Sequence, residues 1–174
     1  MIIGYILLII AFVEFLLCLR FLFGYERAQV TTYYGLFVLG VVLYVGSNAL
    51  GFIGGIISSN LAERIAWVGG IFITSFFLVF TYCFPYRQKS LGELLPLVLW
   101  PLLVFVPGFL FTDIFIMRNL EVHFGQGYKV PAGPYLWFFL IFYGIYWLWS
   151  WRNMIIRYRK SDGIHRWQLK NILI

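Results

Sequence analysis

The stretch IIGYILLIIAFVEFLLCLRFLF, residues Ile2–Phe23, decides the fold of this chain. Glu14 is the one charged residue that precedes Arg20 in it. Its length meets the roughly 20 residues that a helix needs to cross about 30 Å of hydrocarbon. Apolar stretches of comparable length follow at about residues 33–57, 65–84, 94–112 and 135–156. The pattern predicts an all-α fold, a polytopic transmembrane helical bundle of five spans.

The composition excludes a soluble globular domain. Hydrophobic residues make up 62% of the 174 residues and charged residues only 11%, a balance that a soluble domain of this size could not carry. The net charge of +6 stems largely from six Lys and Arg residues beyond residue 151, beside the last span. Basic residues next to a membrane helix report its orientation, so we expect the lipid bilayer as a partner and no nucleic acid.

The distribution of Lys and Arg predicts the orientation. With the N-terminus outside, ten of the thirteen basic residues lie on the cytoplasmic side, whereas the reverse orientation leaves three there. The first stretch lacks a basic leader and a small-residue cleavage site, so we expect it to be retained as the first span. The sequence therefore predicts a multi-pass protein with its N-terminus outside and its C-terminus in the cytoplasm.

The longest connection, residues 113–134, lies outside in this topology. Two β-prone runs within it, 120–124 and 128–130, are separated by a glycine-containing segment. They predict a small extracytoplasmic β-hairpin loop between spans four and five. A soluble ligand would meet the chain at this loop, although a lid that only covers the bundle fits the sequence equally well.

The chain divides into one membrane domain, residues 1–160, and a short tail. A break at Asp162 and Gly163 separates the two. Residues 161–174 are interpreted as the cytoplasmic or interfacial start of a further helix that is cut short, because a span cannot end a few residues into lipid.

Glu14 is the strongest candidate for a functional residue within a span. An ionised carboxylate near the bilayer centre costs about 3 kcal/mol, so such residues face protein or water. Proton sensing, cation binding and ligand contact are open roles, and so is a hydrogen-bonded carboxyl that joins two helices. Asn48 in the second span is its candidate partner. Trp100 either lines a pocket or is a packed aromatic residue.

Three prolines, Pro96, Pro101 and Pro107, lie in the fourth span and predict a bent helix. The bend either forms a hinge or a cavity, or is a packing irregularity. Asp113 follows this span and is expected to anchor the hairpin, whereas His123 is either an external pH sensor or a solvated loop residue. The predicted ligand-binding residues are Glu14, Asn48, Trp100, Asp113 and His123.

Ser47, Gly51 and Gly55 repeat at four-residue spacing in the second span. Such a stripe of small residues allows two helices to approach closely. It serves either packing within the chain or a homodimer.

Motifs for catalysis and metal binding are not found in the sequence. It has no nucleotide-binding loop, no zinc-protease motif and no serine nucleophile motif. The two histidines, His123 and His165, fall on opposite sides of the membrane, and Cys18 and Cys83 are expected to be reduced packing residues. We therefore predict no catalytic residue, no metal and no cofactor, and a protein that is not an enzyme.

A series of short motifs runs through nearly the whole chain. They are Leu61-Ala-Glu-Arg-Ile65, Phe77-Leu-Val-Phe80, Phe84-Pro-Tyr86, Phe111-Thr-Asp-Ile-Phe-Ile116, Gly127-Tyr128, Ala132-Gly-Pro-Tyr135, Tyr158-Arg-Lys-Ser-Asp-Gly163 and Arg166-Trp-Gln-Leu169. In order and spacing they resemble the N-terminal seven-transmembrane region that precedes the kinase core in some bacterial sensor histidine kinases. Only the first five spans of that region are present here.

The resemblance implies a sensory input module in the bacterial cytoplasmic (inner) membrane. Such a module would relay a stimulus to a cytoplasmic kinase or another signalling partner of a two-component system. Two alternatives remain open. Glu14, Asn48 and the proline-rich span suggest a small transporter or channel component, and a membrane enzyme that acts on lipids would need His, Asp or Cys residues to converge at one interface.

Overall fold

The computed structural model describes residues 2–24, 29–54, 57–85, 89–117, 121–122, 128–129 and 132–173. Six helices lie within these residues. The helices are α1 (Ile2–Phe23), α2 (Gln29–Ile53), α3 (Ser59–Cys83), α4 (Leu91–Phe111), α5 (Leu136–Lys160) and α6 (Gly163–Leu173).

Four helices, α1 to α4, are long and apolar enough to cross a membrane, judged by length and composition. The fifth helix, α5, has 25 residues and is therefore long enough as well. Its many Trp and Tyr residues and its terminal arginines lower its mean hydropathy, which sets it apart from the other four. The all-α fold with four candidate spans is confirmed, and the fifth span stays a prediction.

Two short segments pair between α4 and α5. Strand β1 (Glu121–Val122) runs antiparallel to β2 (Tyr128–Lys129), with Glu121 opposite Lys129. Their positions match the two predicted β-prone runs. The residues that join them, including the predicted pH sensor His123, lie outside the described residues, so the hairpin as a whole stays a prediction.

The third helix begins at Ser59 rather than near residue 65, where the apolar run starts. Ser58 caps it, because its hydroxyl accepts a hydrogen bond from the backbone N–H of Leu61 at 3.3 Å. The polar residues before the apolar run therefore belong to the helix, and Arg64 lies on α3 rather than in a connection.

The same helix is the centre of the bundle. Helices α2, α4 and α5 pack against α3, whereas α1 packs against α2. Most of the second half of α3 is buried, including Leu78, Val79 and Thr81 at 0% exposure. In α1 only Gly4, Ala11 and Cys18 are buried. The bundle is thus organised around one enclosed helix, with α1 at its edge.

Helices α2 and α3 touch through their backbones. A Cβ atom added to Gly69 would lie 2.6 Å from the backbone nitrogen of Tyr44 and 2.7 Å from the carbonyl oxygen of Gly40. The stripe predicted for close approach lies elsewhere on α2: Ser47 and Gly51 are buried within the chain, and Gly55 falls outside the described residues. Their burial supports packing within the chain, and a homodimer through them stays a prediction.

The substitution Gly69→Ala should force α2 and α3 apart, because the new methyl group meets backbone atoms that cannot rotate away. We expect it to lower the free energy of unfolding by about 1–3 kcal/mol. Gly70→Ala is the matched control, since its Cβ would meet only the Tyr143 ring at 3.9 Å. Unfolding by SDS titration from mild detergent measures both. Equal stability of the two variants would contradict the close crossing.

Candidate functional site

Arg64 closes the C-terminal end of α4. Its side chain is buried, and its Nη1 donates to the carbonyl oxygens of Phe109 and Thr112, both at 2.7 Å. The last carbonyls of a helix have no partner within the helix, and the helix dipole makes that end negative. The guanidinium supplies hydrogen-bond donors and positive charge together, so it stabilises the end of α4 in two ways.

The remaining donors of Arg64 hold the segment that follows α4. Its Nη2 donates to Asp113 Oδ1 at 2.7 Å and to the carbonyl oxygen of Ile116 at 3.1 Å. Its Nε donates to Asn60 Oδ1 at 2.6 Å, and the Asn60 amide donates onward to the carbonyl oxygen of Met117. A guanidinium has five N–H groups, and each of them has an acceptor here. We call Arg64 and its acceptors the Arg64 anchor.

The segment held by this anchor folds back onto the bundle. Phe115 and Ile116 are buried, and the backbone N–H of Gly133 donates to the Phe115 carbonyl oxygen at 2.8 Å. The Phe115 ring covers Gly108, where an added Cβ would lie 2.3 Å from a ring carbon. Ile116 also pairs with Ala132 in an isolated β-bridge. Both ends of the long connection are therefore fastened at one place.

A second buried arginine acts at the opposite end of α3. Arg157 of α5 is 3% exposed, and its Nη2 donates to the carbonyl oxygen of Tyr82 at 2.8 Å. Its Nη1 donates to the carbonyl oxygen of Phe84. These are carbonyls at the C-terminal end of α3, so Arg157 closes α3 as Arg64 closes α4. We call this contact the Arg157 anchor.

A third polar contact joins α4 to α5 midway between the anchors. Pro101 has no N–H, so the carbonyl oxygen of Leu97 loses its usual helical partner. The Tyr146 hydroxyl of α5 donates to this oxygen at 3.0 Å and accepts from Trp100 Nε1 at 2.7 Å. Around it, Phe105 of α4 packs against Phe142 with ring centroids 4.7 Å apart. The proline-freed carbonyl is thus paired across the interface.

The predicted ligand-binding residues are spread over these features. Asp113 belongs to the Arg64 anchor, and Trp100 belongs to the contact between α4 and α5. Asn48 donates to the carbonyl oxygen of Tyr44 in its own helix at 2.7 Å, and half-buried Glu14 makes no hydrogen bond with any described residue. The structure therefore does not join Glu14 to Asn48, and ligand binding at the predicted residues stays a prediction.

The sequence reasoning missed the two buried arginines. Both arginines were used only to predict the orientation of the chain in the membrane. Arg64 nevertheless lies in the motif Leu61-Ala-Glu-Arg-Ile65, and Asp113 lies in Phe111-Thr-Asp-Ile-Phe-Ile116. The structure brings these two motifs together through the 2.7 Å ion pair. Over the described ranges, no cluster of three His, Cys, Asp or Glu side chains could hold a metal ion.

Comparison with known families gives one finding. A family model described as the N-terminal 7TM region of histidine kinase matches residues 6–174. Comparison with curated proteins and with solved structures gives no match. The matched range includes both anchors and the contact between α4 and α5.

Replacing Arg64 should weaken the bundle even when the positive charge is kept. Arg64→Met leaves several carbonyls without their donor and removes the ion pair with Asp113, and we expect a loss of about 3 kcal/mol in the free energy of unfolding. Arg64→Lys should also lose stability, because an ammonium cannot reach the same set of acceptors. Asp113→Asn should cost no more than about 1 kcal/mol, since that side chain is 48% exposed.

SDS unfolding and limited proteolysis of the 112–117 segment measure these effects. Arg152→Lys serves as the control, because Arg152 is an exposed arginine on α5. If Arg64→Lys were as stable and as protease-resistant as Arg152→Lys, the anchor would not depend on the guanidinium.

Proposed function

Because the chain belongs to the family described as the N-terminal 7TM region of histidine kinase, we propose that it is a membrane-embedded sensory module that relays a stimulus to a cytoplasmic effector. The observation that carries this proposal is the fastening of α3 at both ends. At one end Arg64 ties α3 to the long connection, and at the other Arg157 ties α3 to α5. A shift of the connection would therefore reach α5 through one enclosed helix.

The proposed orientation places the Arg64 anchor outside and the Arg157 anchor at the cytoplasmic face. Ten of the thirteen Lys and Arg residues then lie inside. Arg64, one of the three outside, is held by carbonyls and Asp113, which accounts for a basic residue on that side. In this arrangement α5 is the fifth span, because 25 residues reach about 37 Å.

The relay requires an element with two arrangements whose populations the stimulus shifts. Helix α4 is our candidate, since Pro96, Pro101 and Pro107 lie inside it. The bond from Tyr146 to the Leu97 carbonyl oxygen fixes α4 to α5 in the arrangement observed. Loss of this bond would free α5 to shift. The last turn of α5 carries basic residues, and α6 follows it.

The partner that reads this shift is proposed to be a cytoplasmic kinase or another signalling protein. The last turn of α5 carries Arg157, Arg159 and Lys160, and α6 follows after a short break. Arg159 and Lys160 are exposed and suited to anionic headgroups. They would hold the end of α5 at the membrane face, where a movement of the helix is passed on.

The transporter alternative gains no support from the described residues. It rested on Glu14 and Asn48, and a transport path needs polar groups that connect through the membrane. Asn48 bonds to its own helix and Glu14 has no hydrogen bond there. The sensory function is therefore the one that the geometry supports best.

A fusion of the intact chain to a histidine kinase core tests the relay. Pro101→Ala restores the N–H that competes with Tyr146 for the Leu97 carbonyl oxygen, and Tyr146→Phe removes the Tyr146 donor. We expect each change to alter basal autophosphorylation in membrane vesicles by about tenfold, which corresponds to about 1.4 kcal/mol in the balance of two states. Leu103→Ala, at a side chain that is 71% exposed, is the control.

The direction of the change depends on which state the observed arrangement represents, and the full tenfold change is expected where the active state is the less populated one. Combining Pro101→Ala and Tyr146→Phe should give less than the sum of the two effects, because both act on one carbonyl. Autophosphorylation equal to that of Leu103→Ala in both single variants would exclude α4 as the switching element.

A further inference from the structure

A cavity lies between α2, α3 and α5. Its volume is about 340 Å³, within the range of small-molecule sites. Helix α2 contributes one residue to its wall, α3 three and α5 two: Tyr44, Trp67, Gly70, Ile73, Leu140 and Tyr143. Gly70 leaves the space open, because a Cβ added there would meet only the Tyr143 ring at 3.9 Å.

The wall of the cavity is aromatic and carries unused hydroxyls. Tyr44 is 47% exposed, and neither its hydroxyl nor that of Tyr143 makes a hydrogen bond with any described residue. Trp67 rests against Phe109, with parallel rings 5.8 Å apart. Aromatic faces attract cations, and the attraction grows where water is excluded.

A carboxyl group outside the lining contacts one residue of this wall, Trp67. Glu63 lies one helical turn before Trp67 on the same side of α3, and it accepts a hydrogen bond from Trp67 Nε1 at 2.8 Å. It is half-buried, and among the described residues no Lys, Arg or His pairs with it. Asp113, in contrast, has Arg64 as its counter-ion. Among the described residues, the Glu63 carboxyl group therefore has Trp67 as a hydrogen-bond donor but no cationic partner.

We propose that this cavity binds a single-chain amphiphile with a cationic amine head. The ammonium group lies at the Glu63 carboxylate and against the aromatic rings, while the alkyl chain fills the space between Ile73 and Leu140. Glu63 and Ile73 are separated along α3 by about 15 Å, at 1.5 Å per residue, which accommodates an extended alkyl chain. Glu63 lies in the second turn of α3, near the membrane surface where a charged head resides.

In the proposed sensory module, binding of the amine would be the stimulus, and only this step rests on the proposed function. Binding itself is measured on the chain alone, without a kinase. A negative binding result thus leaves the relay standing, and a negative result with the kinase fusion leaves the binding site standing.

The test uses the full chain in nanodiscs of a neutral lipid. Tetradecylamine, tetradecanol and tetradecanoate share one alkyl chain and differ in the head group. We expect the amine to bind at least ten times more tightly than the alcohol, with the carboxylate weakest, by native mass spectrometry and by the rise in Tm. Equal binding of the three probes would show that any alkyl chain fills the cavity whatever its head group, and this would overturn the proposal.

Two substitutions locate the site. Glu63→Gln keeps an acceptor for Trp67 but removes the charge, and it should make the amine bind no better than the alcohol. Gly70→Leu fills the cavity and should abolish binding of both, whereas Gly70→Ala should bind as the wild type does. Retention of the amine preference in Glu63→Gln would place the amine elsewhere and overturn the proposal, even if Gly70→Leu failed to fold.

Discussion

A backbone carbonyl that is buried away from water needs a hydrogen-bond donor from the protein, and this constraint accounts for the polar contacts that hold the bundle together. Helix ends and prolines are the places where carbonyls lose their helical partners. Arg64 pairs the end of α4, Arg157 pairs the end of α3, and Tyr146 pairs the carbonyl that Pro101 leaves free. Each donor comes from a neighbouring helix, so satisfying the backbone also fixes which helices adjoin.

The lengths of the apolar stretches predicted the helices well, because crossing the bilayer demands a minimum number of residues. They did not predict which helix is enclosed, because the enclosed helix α3 is no more apolar than α1, α2 or α4. The stripe of Ser47, Gly51 and Gly55 predicted a close approach of α2 to another helix without naming that helix, and the backbones of α2 and α3 meet instead at Gly40 and Gly69. Small residues allow close approach at several positions, and only the packing of both helices decides which one is used.

The candidate site could be predicted only in part. Asp113 was expected to anchor the hairpin, which stays a prediction, and the structure pairs its carboxylate with Arg64 of α3 at 2.7 Å. Arg64 itself could not be recognised, because four of its five bonds go to backbone carbonyls or to Asn60, and carbonyls have no sequence signature. The pairing of Tyr146 with Leu97 was likewise invisible, since it depends on how α5 faces the proline of α4.

Buried guanidinium groups close two helix ends, that of α4 beside the start of α3 and that of α3 itself, and Cys83 offers a direct probe of the second. This thiol is 1% exposed and neighbours both carbonyls that Arg157 binds. In a chain with Cys18→Ala, the rate of labelling by a water-soluble maleimide reports opening of that end. Arg157→Met should raise the rate at least tenfold, whereas Arg152→Met should leave it unchanged. Equal rates in the two variants would contradict the account.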